Sequence, residues 1–476
     1  MAVYAAGFGA LAVREHSAFE TGRFDLGNMV QAVWSTAHGR PLEVTELDGE
    51  QINRLGAHVD PILAAFAPLW WLWPSPAMLL VLQAAVVALG ALPVFWLARK
   101  HLGSERLGSL FALTYLLYAP VQWLPLDEFH PVALACPLLA FAVWYLDEGR
   151  LGAAAPFLVL AALTKEEIPI VIAALGVWYA VARGRRLAGT ALAVTGVAVA
   201  AFYLAVVIPH FREGEAPAFY ERYDAVGGSP SGIVETAITD PLVLIRALTE
   251  GRDLGYLLQL GLPLAGLFLA APLLLLPALP ELAANLLSEV STQTSIEFHY
   301  TAPIAPFLVM GTILGVARAP RLVPAVLIAS VAGAVVLGPL RAGELRPDRV
   351  SDHDRVAARA VDLIPDEAAV SSTNGLGAHL SARRRVFSFP VIGEAAWVAV
   401  DLRRASYLDL RSAPSTTAIP LARLLRSGAW ETVLEEDGIF VLRRTTAQTS
   451  TAESTSRSTS RRTTSQTRPS RANTSR

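Results

Sequence analysis

Five short polar motifs stand between the apolar stretches of this sequence, and their side chains are of types that carry chemistry. They are "GRFDLGN" with Asp25, "LGAHVDP" with His58 and Asp60, "PLDEFHP" with Asp127, Glu128 and His130, "LTKEEIP" with Lys165 and Glu166, and "SIEFHYTAP" with His299 and Tyr300. Carboxylates and imidazoles can move protons as general acids and bases. A lysine ammonium suits a phosphate, which it can hold as a point charge.

Each motif also has a simpler interpretation. Asp25 could only cap the start of a helix, and the histidines and carboxylates of the next two motifs could form hydrogen bonds within their loops. They could also be metal ligands, but their spacings match no strong metal motif. We therefore predict no metal site and no cofactor, although a divalent metal stays open. Lys165, one of only two lysines among 39 basic residues, could pair with Glu166 or Glu167 or extend to the membrane surface.

The elements that must position these groups are membrane helices. Of the 476 residues, 53% are hydrophobic and only 17% are charged, whereas soluble domains contain about 25% charged residues. Long apolar runs such as 77–98 and 187–209 have the length that a bilayer requires. The formal charge of −2 argues against nucleic acid as the main partner. The sequence therefore predicts an α-helical polytopic membrane protein.

Hydropathy predicts a transmembrane domain over residues 1–340, with about 10 to 11 membrane segments. They lie near 1–13, 76–98, 107–125, 131–146, 152–164, 167–182, 187–208, 256–276, 280–296, 300–317 and 322–340. Arginine and lysine gather in the short loops 99–106, 147–150, 183–186 and 318–321, which predicts that these loops are cytoplasmic. The polar motifs, the loops 14–61 and 209–255 and the chain after residue 340 then lie outside a bacterial plasma membrane.

The first external loop contains a predicted amphipathic helix that begins at Asp25. Its apolar stripe consists of Leu26, Met29, Val30, Val33 and Ala37. Its polar side contains Asn28, Gln31 and Ser35. A helix of this kind lies in the membrane interface and does not cross the bilayer. We expect it to present Asp25 to a site that includes Lys165 and the outer histidines.

Residues 341–444 have the composition of a small soluble α/β module, predicted to be extracytoplasmic. The runs "AAVSS", "RVFSFP" and "AWVAVDL" are typical of strands, "IPLARLLRSG" of a helix, and "EEDGIFVL" of a hairpin. The stretch "NGLGAH" (374–379) lacks the third glycine of a dinucleotide-binding loop, so we interpret it as a turn. The Ser/Thr/Arg-rich segment 445–476 cannot bury a core and is predicted to be disordered.

Several longer motifs follow one another in the order of a known family. They include "FDLGNMVQAVWSTAHGRPL", "LGAHVDPILAAFAPLWWLWP", "DEFHPVALACPLLAF", "LTKEEIPIVIAALGVWYA" and "EFHYTAPIAPFL". Through them the chain, to about Arg444, resembles the bacterial and archaeal family called domain of unknown function 2079. That family is similar in architecture to the GT-C superfamily of integral-membrane glycosyltransferases. The resemblance implies a GT-C-like fold, an acidic residue of the first external loop at the reaction centre, and a polyprenyl-phosphate sugar as the donor.

The motifs and the resemblance together predict an inverting glycosyltransferase at the outer membrane face. Asp25 would be the general base and Lys165 would hold the donor phosphate. Substrate binding would fall to His58, Asp60, Asp127, Glu128, His130, Glu166, His299 and Tyr300. The acceptor would be an envelope polymer, glycolipid or protein. The alternative is a lipid or anion transporter or flippase that uses the same charged cavity, but we find no paired internal repeats of the kind that transporters often have.

Overall fold

The computed structural model describes residues 1–249, 251–345, 350–404, 406, 409 and 417–445. Within them the chain is mostly helical, with a two-stranded sheet near its start and a five-stranded sheet near its end. The first helices and strands are α1 Ala2–Ser17, α2 Asn28–Ala37, β1 Glu43–Thr45, β2 Gln51–Asn53, α3 Ala67–Leu72, α4 Pro76–Leu89, α5 Ala91–Leu102, α6 Glu105–Leu117, α7 Ala119–Trp123, α8 Ala135–Asp147, α9 Leu151–Ala162, α10 Ile168–Ala182, α11 Arg186–Phe202 and α12 Ile208–Phe211.

The middle of the chain consists of shorter helices. They are α13 Pro230–Thr239, α14 Pro241–Ala247, α15 Gly251–Gly261, α16 Pro272–Leu275, α17 Leu279–Leu287, α18 Ala305–Arg318, α19 Val323–Val336 and α20 Pro339–Ala342. The predicted segment 256–276 is not one helix, because Ala265 (φ 51°) and Gly266 (φ 65°) have left-handed backbone conformations that interrupt it. The predicted crossing near 280–296 is α-helical only as far as Leu287, and a short 3-10 turn Ser291–Thr294 follows.

Among the described residues, three helical stretches are long and apolar enough to cross a membrane. They are Pro76–Leu102, Arg186–Phe211 and Pro320–Ala342. Apolar helices of 10–17 residues make up much of the remainder, including Pro131–Asp147, Ile168–Ala182 and Ala305–Arg318. The structure thus supports a mostly helical chain with candidate membrane helices, whereas the full set of spans and their orientation stay predictions.

The main apolar core lies between α4, α5, α6, α8, α10 and α18. Phe111, Tyr115, Leu139 and Phe307 are fully buried in it. Helices α10 and α11 approach closely beside this core, and a Cβ at Gly189 would lie only 2.4 Å from the backbone nitrogen of Ala180. Small residues at such crossings let membrane helices pack with their backbones in contact.

The segment that carries Asp25 differs from its prediction at two points. Helical backbone begins at Arg23, in a π-helical turn Arg23–Gly27 that continues into α2, so Asp25 lies within this turn and does not cap it. The apolar stripe is buried against protein except for the half-buried Ala37, and Gln31 and Ser35 on the other side are buried too. Gln31 donates to the main-chain oxygens of Arg383 and Arg384. The helix therefore packs on both sides and does not present a free polar face.

The C-terminal module is the α/β unit that the sequence predicts. It contains α21 Asp352–Asp362, β3 Val370–Ser372, α22 Asn374–His379, β4 Val386–Ser388, β5 Trp397–Asp401, α23 Ala418–Arg426, β6 Trp430–Glu436 and β7 Ile439–Arg444. The strand order is β4-β3-β5-β7-β6, with β3 parallel to β4 and β5 and the others antiparallel. Asp437 and Gly438, both with positive φ, form the predicted hairpin turn between β6 and β7.

One prediction for this region is wrong and another is not tested. "NGLGAH" forms the short helix α22 and is not merely a turn. The reason is tertiary, since α22 packs on the Arg23–Gly27 turn so closely that a Cβ at Gly27 would lie 3.3 Å from Ala378 Cα. The predicted disorder of 445–476 concerns residues that, apart from Thr445, lie outside the described part of the chain.

The module is joined to the first loop through the buried side chain of Arg23. Its guanidinium donates to the main-chain oxygen of Val386 at 2.9 Å, to Ser388 Oγ at 2.7 Å and to the main-chain oxygen of Thr45 at 2.6 Å. A planar guanidinium with five donors is well suited to bind several fixed acceptors at once. The turn that carries Asp25 is therefore held directly against strand β4.

Candidate functional site

Three polar motifs come together because the helices that follow them begin at the same end of the main core. His130 precedes α8, Lys165 precedes α10 and His299 precedes α18. These helices pack on one another, α8 against both α10 and α18. The first loop extends to the same end of the main core, where the Asp25 side chain is 39% exposed.

Glu128 holds the turn that contains Asp25. Its two carboxylate oxygens accept hydrogen bonds from the backbone nitrogens of Gly22 at 2.9 Å and Leu26 at 2.8 Å. Glu128 therefore binds the backbone N–H groups of this turn, which is the role expected of Asp25 as a helix cap. The backbone of Glu128 itself is left-handed, with φ 48°. Burial and the charge of Asp25 raise the pKa of Glu128 to about 8, against the effect of these hydrogen bonds. In this position Glu128 is a positioning residue for Asp25.

A pair of stacked histidines lies beside Asp25. Asp25 Oδ1 is 3.4 Å from His130 Nε2, and the rings of His130 and His299 stack with centroids 3.7 Å apart. Asp127 binds both, because its main-chain oxygen is 2.7 Å from His130 Nδ1 and its Oδ2 is 2.8 Å from His299 Nδ1. The backbone nitrogen of His299 also donates to Asp127 Oδ2 at 2.7 Å.

The two rings of this pair have opposite shifts in pKa. Burial alone would lower the pKa of His130, but the charges of Asp127 and Asp25 raise it to about 9. Burial and the charge of His130 lower the pKa of His299 well below its usual range. The pair therefore holds one charged and one neutral imidazole near neutral pH, which suits a site that stabilises negative charge and also offers an uncharged nitrogen.

Tyr300 and Lys165 lie next to the histidine pair, on the side of His299. The Tyr300 ring lies 4.2 Å from the His299 ring, and Lys165 Nζ lies 5.4 Å from the centroid of Tyr300. Lys165 is largely buried, and its Nζ pairs with Glu167 Oε1 at 2.8 Å. Burial alone would lower the pKa of Lys165, but Glu167, Glu166 and Glu281 raise it above its usual value, so the side chain stays an ammonium. We call the series Asp25, His130, His299, Tyr300 and Lys165 the site column.

The motif "LGAHVDP" has a different role in the structure. His58 Nδ1 is 2.8 Å from Glu166 Oε1, which places this pair directly beside Lys165. Burial would raise the pKa of Glu166, but the charges of His58 and Lys165 lower it to about 2. Asp60 is instead bound to Arg54 through both of its carboxylate oxygens, at 3.0 and 2.8 Å from Nε. This buried ion pair leaves Asp60 poorly placed to bind a substrate.

The sequence motifs did not identify several residues of the site. Glu281 of α17 is buried near Lys165, and Arg222 donates to the Tyr300 hydroxyl at 3.4 Å. Gln83, fully buried in α4, donates to the main-chain oxygens of Leu124 and Glu128 and so holds the loop that contains Asp127. For Gln83 and Glu281 the available signal was their position, since single polar residues in apolar helices usually have a partner or a function.

One group of side chains has the composition of a metal site. One potential ligand atom from each of Asp127, His130 and His299 lies within 4.8 Å of the other two. In the sequence Asp127 and His130 are neighbours, but His299 lies 172 residues from Asp127, so no local motif contains all three.

Comparison with known families supports the membrane assignment. The family model described as "Predicted membrane protein (DUF2079)" matches residues 15–441 of the chain. This match covers every residue of the site column. No curated protein matches the chain significantly.

Proposed function

Since the chain belongs to the DUF2079 family of predicted membrane proteins, we propose that it is an inverting glycosyltransferase that works at a membrane surface. Its donor is a polyprenyl-phosphate sugar, and its acceptor is a hydroxyl of an envelope polymer, glycolipid or protein. The observation that carries the proposal is the site column, which has a partly exposed carboxylate at one end and a buried ammonium at the other. A donor whose lipid tail stays in the bilayer can present its sugar-phosphate group only at such an interface.

Asp25 is the general base of the proposed reaction. It accepts the proton of the acceptor hydroxyl while that oxygen attacks the anomeric carbon of the sugar. The bond from this carbon to the phosphate oxygen breaks, and polyprenyl phosphate leaves with the electron pair. Attack from the face opposite the phosphate inverts the anomeric carbon. General-base assistance of this kind contributes about 10²–10⁴-fold to the rate.

Lys165 and Arg222 are the permanent cations near the other end of the column. Charges positioned where negative charge develops stabilise a transition state, and they act most strongly away from bulk water. Lys165 is paired with Glu167 in this structure, so the donor phosphate must share or replace that contact. The charged ring of His130 also stabilises the negative charge of the leaving phosphate. We assign the binding of sugar hydroxyls to His58 and Tyr300.

We propose a GT-C-like arrangement in a bacterial plasma membrane, with the site at the outer face and the α/β module extracytoplasmic. Two observations support a role for the module in acceptor binding. Arg23 anchors β4 two residues from Asp25, and Asn374 Oδ1 accepts a hydrogen bond from the backbone nitrogen of Phe24.

The proposal is tested by transfer assays on the full-length chain in lipid. Radiolabelled polyprenyl-phosphate sugars and envelope acceptors are supplied to the wild type, Asp25→Asn and Lys165→Ala. Asp48→Asn in the same loop and Lys100→Ala, which removes the other lysine, are the matched controls. We expect transfer by the wild type and both controls and its loss in the two site variants. Transfer that survives both site substitutions contradicts the site, and substrate flipping in liposomes without transfer by any donor favours a transporter.

A further inference from the structure

We propose that helices α13 and α14 form a hairpin that inserts into the surface of a lipid bilayer. No residue of these two helices, all of which the structure describes, is buried. Their large apolar side chains are instead exposed, with 60% of Val234, 77% of Ile238, 57% of Leu242 and 54% of Ile245 accessible. Exposed apolar patches of this kind mark contact with a membrane or with another protein.

The exposed apolar residues share a face in each helix. Val234 and Ile238 are four residues apart in α13, and Leu242 and Ile245 are three residues apart in α14, so the members of each pair are neighbours on the helix surface. Thr239 follows Ile238 and points about 100° away from it around the helix axis. Each helix therefore has the apolar face and polar flank of a helix that lies in a membrane interface.

The hairpin is too short to cross the bilayer. Helix α13 has 10 residues and α14 has 7, which correspond to lengths of about 15 Å and about 10 Å. The hydrocarbon core of a bilayer is about 30 Å thick. The two helices carry one acidic and one basic side chain, Glu235 and Arg246, so their own charges cancel. Apolar burial, and not attraction to anionic lipid, is therefore the driving force for insertion.

The neighbouring helices indicate that lipid, and not a protein, covers the hairpin. In α15, which follows it, Leu254 and Leu258 are exposed, whereas Asp253 and Tyr256 are buried. A helix on the surface of a soluble protein has the opposite distribution, and ionisable residues of membrane helices face the protein interior. The candidate membrane helix Arg186–Phe211, which precedes the hairpin, also exposes apolar side chains. The hairpin thus continues a surface that faces lipid on both sides of it in the chain.

The segment before the hairpin reaches the site column. Arg222, in the 3-10 segment Ala218–Val226, donates to the Tyr300 hydroxyl at 3.4 Å. Only residues 227–229 separate this segment from α13, so insertion of the hairpin restricts the positions that Arg222 can take. The insertion itself goes beyond the proposed function and does not depend on it, because it rests on the exposure and the faces of the two helices.

Fluorescence quenching of single labelled cysteines tests the insertion. Cys136, the only cysteine of the sequence, is fully buried, so Ile238→Cys and Leu242→Cys each supply one accessible thiol for an environment-sensitive fluorophore. The full-length chain is placed in nanodiscs of zwitterionic lipid, with nitroxides attached near the lipid headgroup or near the bilayer centre. Aqueous iodide is the second quencher. We expect both labels to lose most of their fluorescence to the shallow nitroxide, less to the deep one and little to iodide.

Three control variants make the result decisive. The label of Asp352→Cys, on the exposed surface of the α/β module, should respond to iodide alone, and that of Val194→Cys, in the candidate membrane helix, to the nitroxides alone. The label of Thr239→Cys should be more accessible to iodide than that of Ile238→Cys. Iodide quenching at Ile238 and Leu242 equal to that at Asp352 overturns the proposal. Protection from both quenchers also overturns it, because it indicates a protein surface. No sugar donor is present, so this result is separate from success or failure of the transfer assay.

Discussion

The carboxylate of Asp25 lies 3.4 Å from Nε2 of His130, although the two residues belong to loops that are far apart in the chain. His130 in turn stacks on His299, which reaches Lys165 through Tyr300. Through these contacts the polar motifs form one continuous site at the end of the helical core. A carboxylate, an imidazole pair and an ammonium in this order are the groups that proton transfer and phosphate binding require.

Asp25→Asn should abolish most of the proposed transfer activity and leave the fold unchanged. The amide cannot accept the proton of an acceptor hydroxyl, yet it keeps the size of the carboxylate. We expect kcat to fall by about 10²–10⁴-fold, the usual contribution of a general base, with a small change in KM for the donor. Initial rates over a range of donor concentrations measure this split, and Asp48→Asn should match the wild type in both constants.

Glu128→Gln should loosen the turn that carries Asp25. The carboxylate binds two backbone N–H groups, one with each oxygen, whereas glutamine has only one acceptor oxygen. A buried backbone N–H that is left without an acceptor costs about 1–3 kcal/mol. The amides of Gly22 and Leu26 should therefore exchange their hydrogens faster. Unchanged exchange at both amides would contradict the positioning role of Glu128.

Arg23→Ala should release the α/β module from the first loop. The substitution leaves the buried main-chain oxygens of Val386 and Thr45 without their donors, and each unsatisfied group costs about 1–3 kcal/mol. We expect faster hydrogen exchange in β4 and faster cleavage between the helical part and the module by a protease. Arg355→Ala, which removes an exposed arginine that pairs with Asp352 inside the module, is the control and should leave both measurements unchanged.

The stability of the module should depend on pH through His353. Its Nε2 and Nδ1 are each 2.8 Å from a carboxylate, of Asp401 and Asp437 respectively. Burial would lower the pKa of His353, but these two hydrogen bonds raise it above the usual value. The stabilisation is therefore complete below about pH 6.5, the ordinary histidine pKa, and is lost as the pH rises through the higher pKa of the folded state.

This dependence can be measured by hydrogen exchange of β5 and β7 between acidic and alkaline pH, corrected for intrinsic exchange. The corrected protection should fall as the pH rises in the wild type. His353→Gln should be less protected at low pH and should show little further change. An equal pH dependence in both proteins would rule out His353 as its cause.

Some features of this chain could be predicted because they depend only on neighbouring residues. The strands β3 to β7 and the Asp437–Gly438 hairpin follow from short apolar runs and turn chemistry. The long apolar helices follow from the length and composition of their runs. The polar motifs could be recognised as exceptional for the same local reason, because each interrupts or borders an apolar stretch.

Other features depended on contacts between distant parts of the chain. Asp25 is not a helix cap because Glu128 of another loop binds the turn, and Asp60 is occupied because Arg54 folds back on it. The spacing of Asp127, His130 and His299 matches no metal motif, but the packing of α8 against α18 brings them together.

The amino-acid sequence by itself thus determined which segments avoid water and which polar side chains accompany them, because hydropathy and turn preference are local properties. The tertiary structure alone decided which of those side chains meet. Partners such as Asp25 and His130, or Lys165 and Tyr300, are selected by the packing of helices whose contacts join residues far apart in the chain.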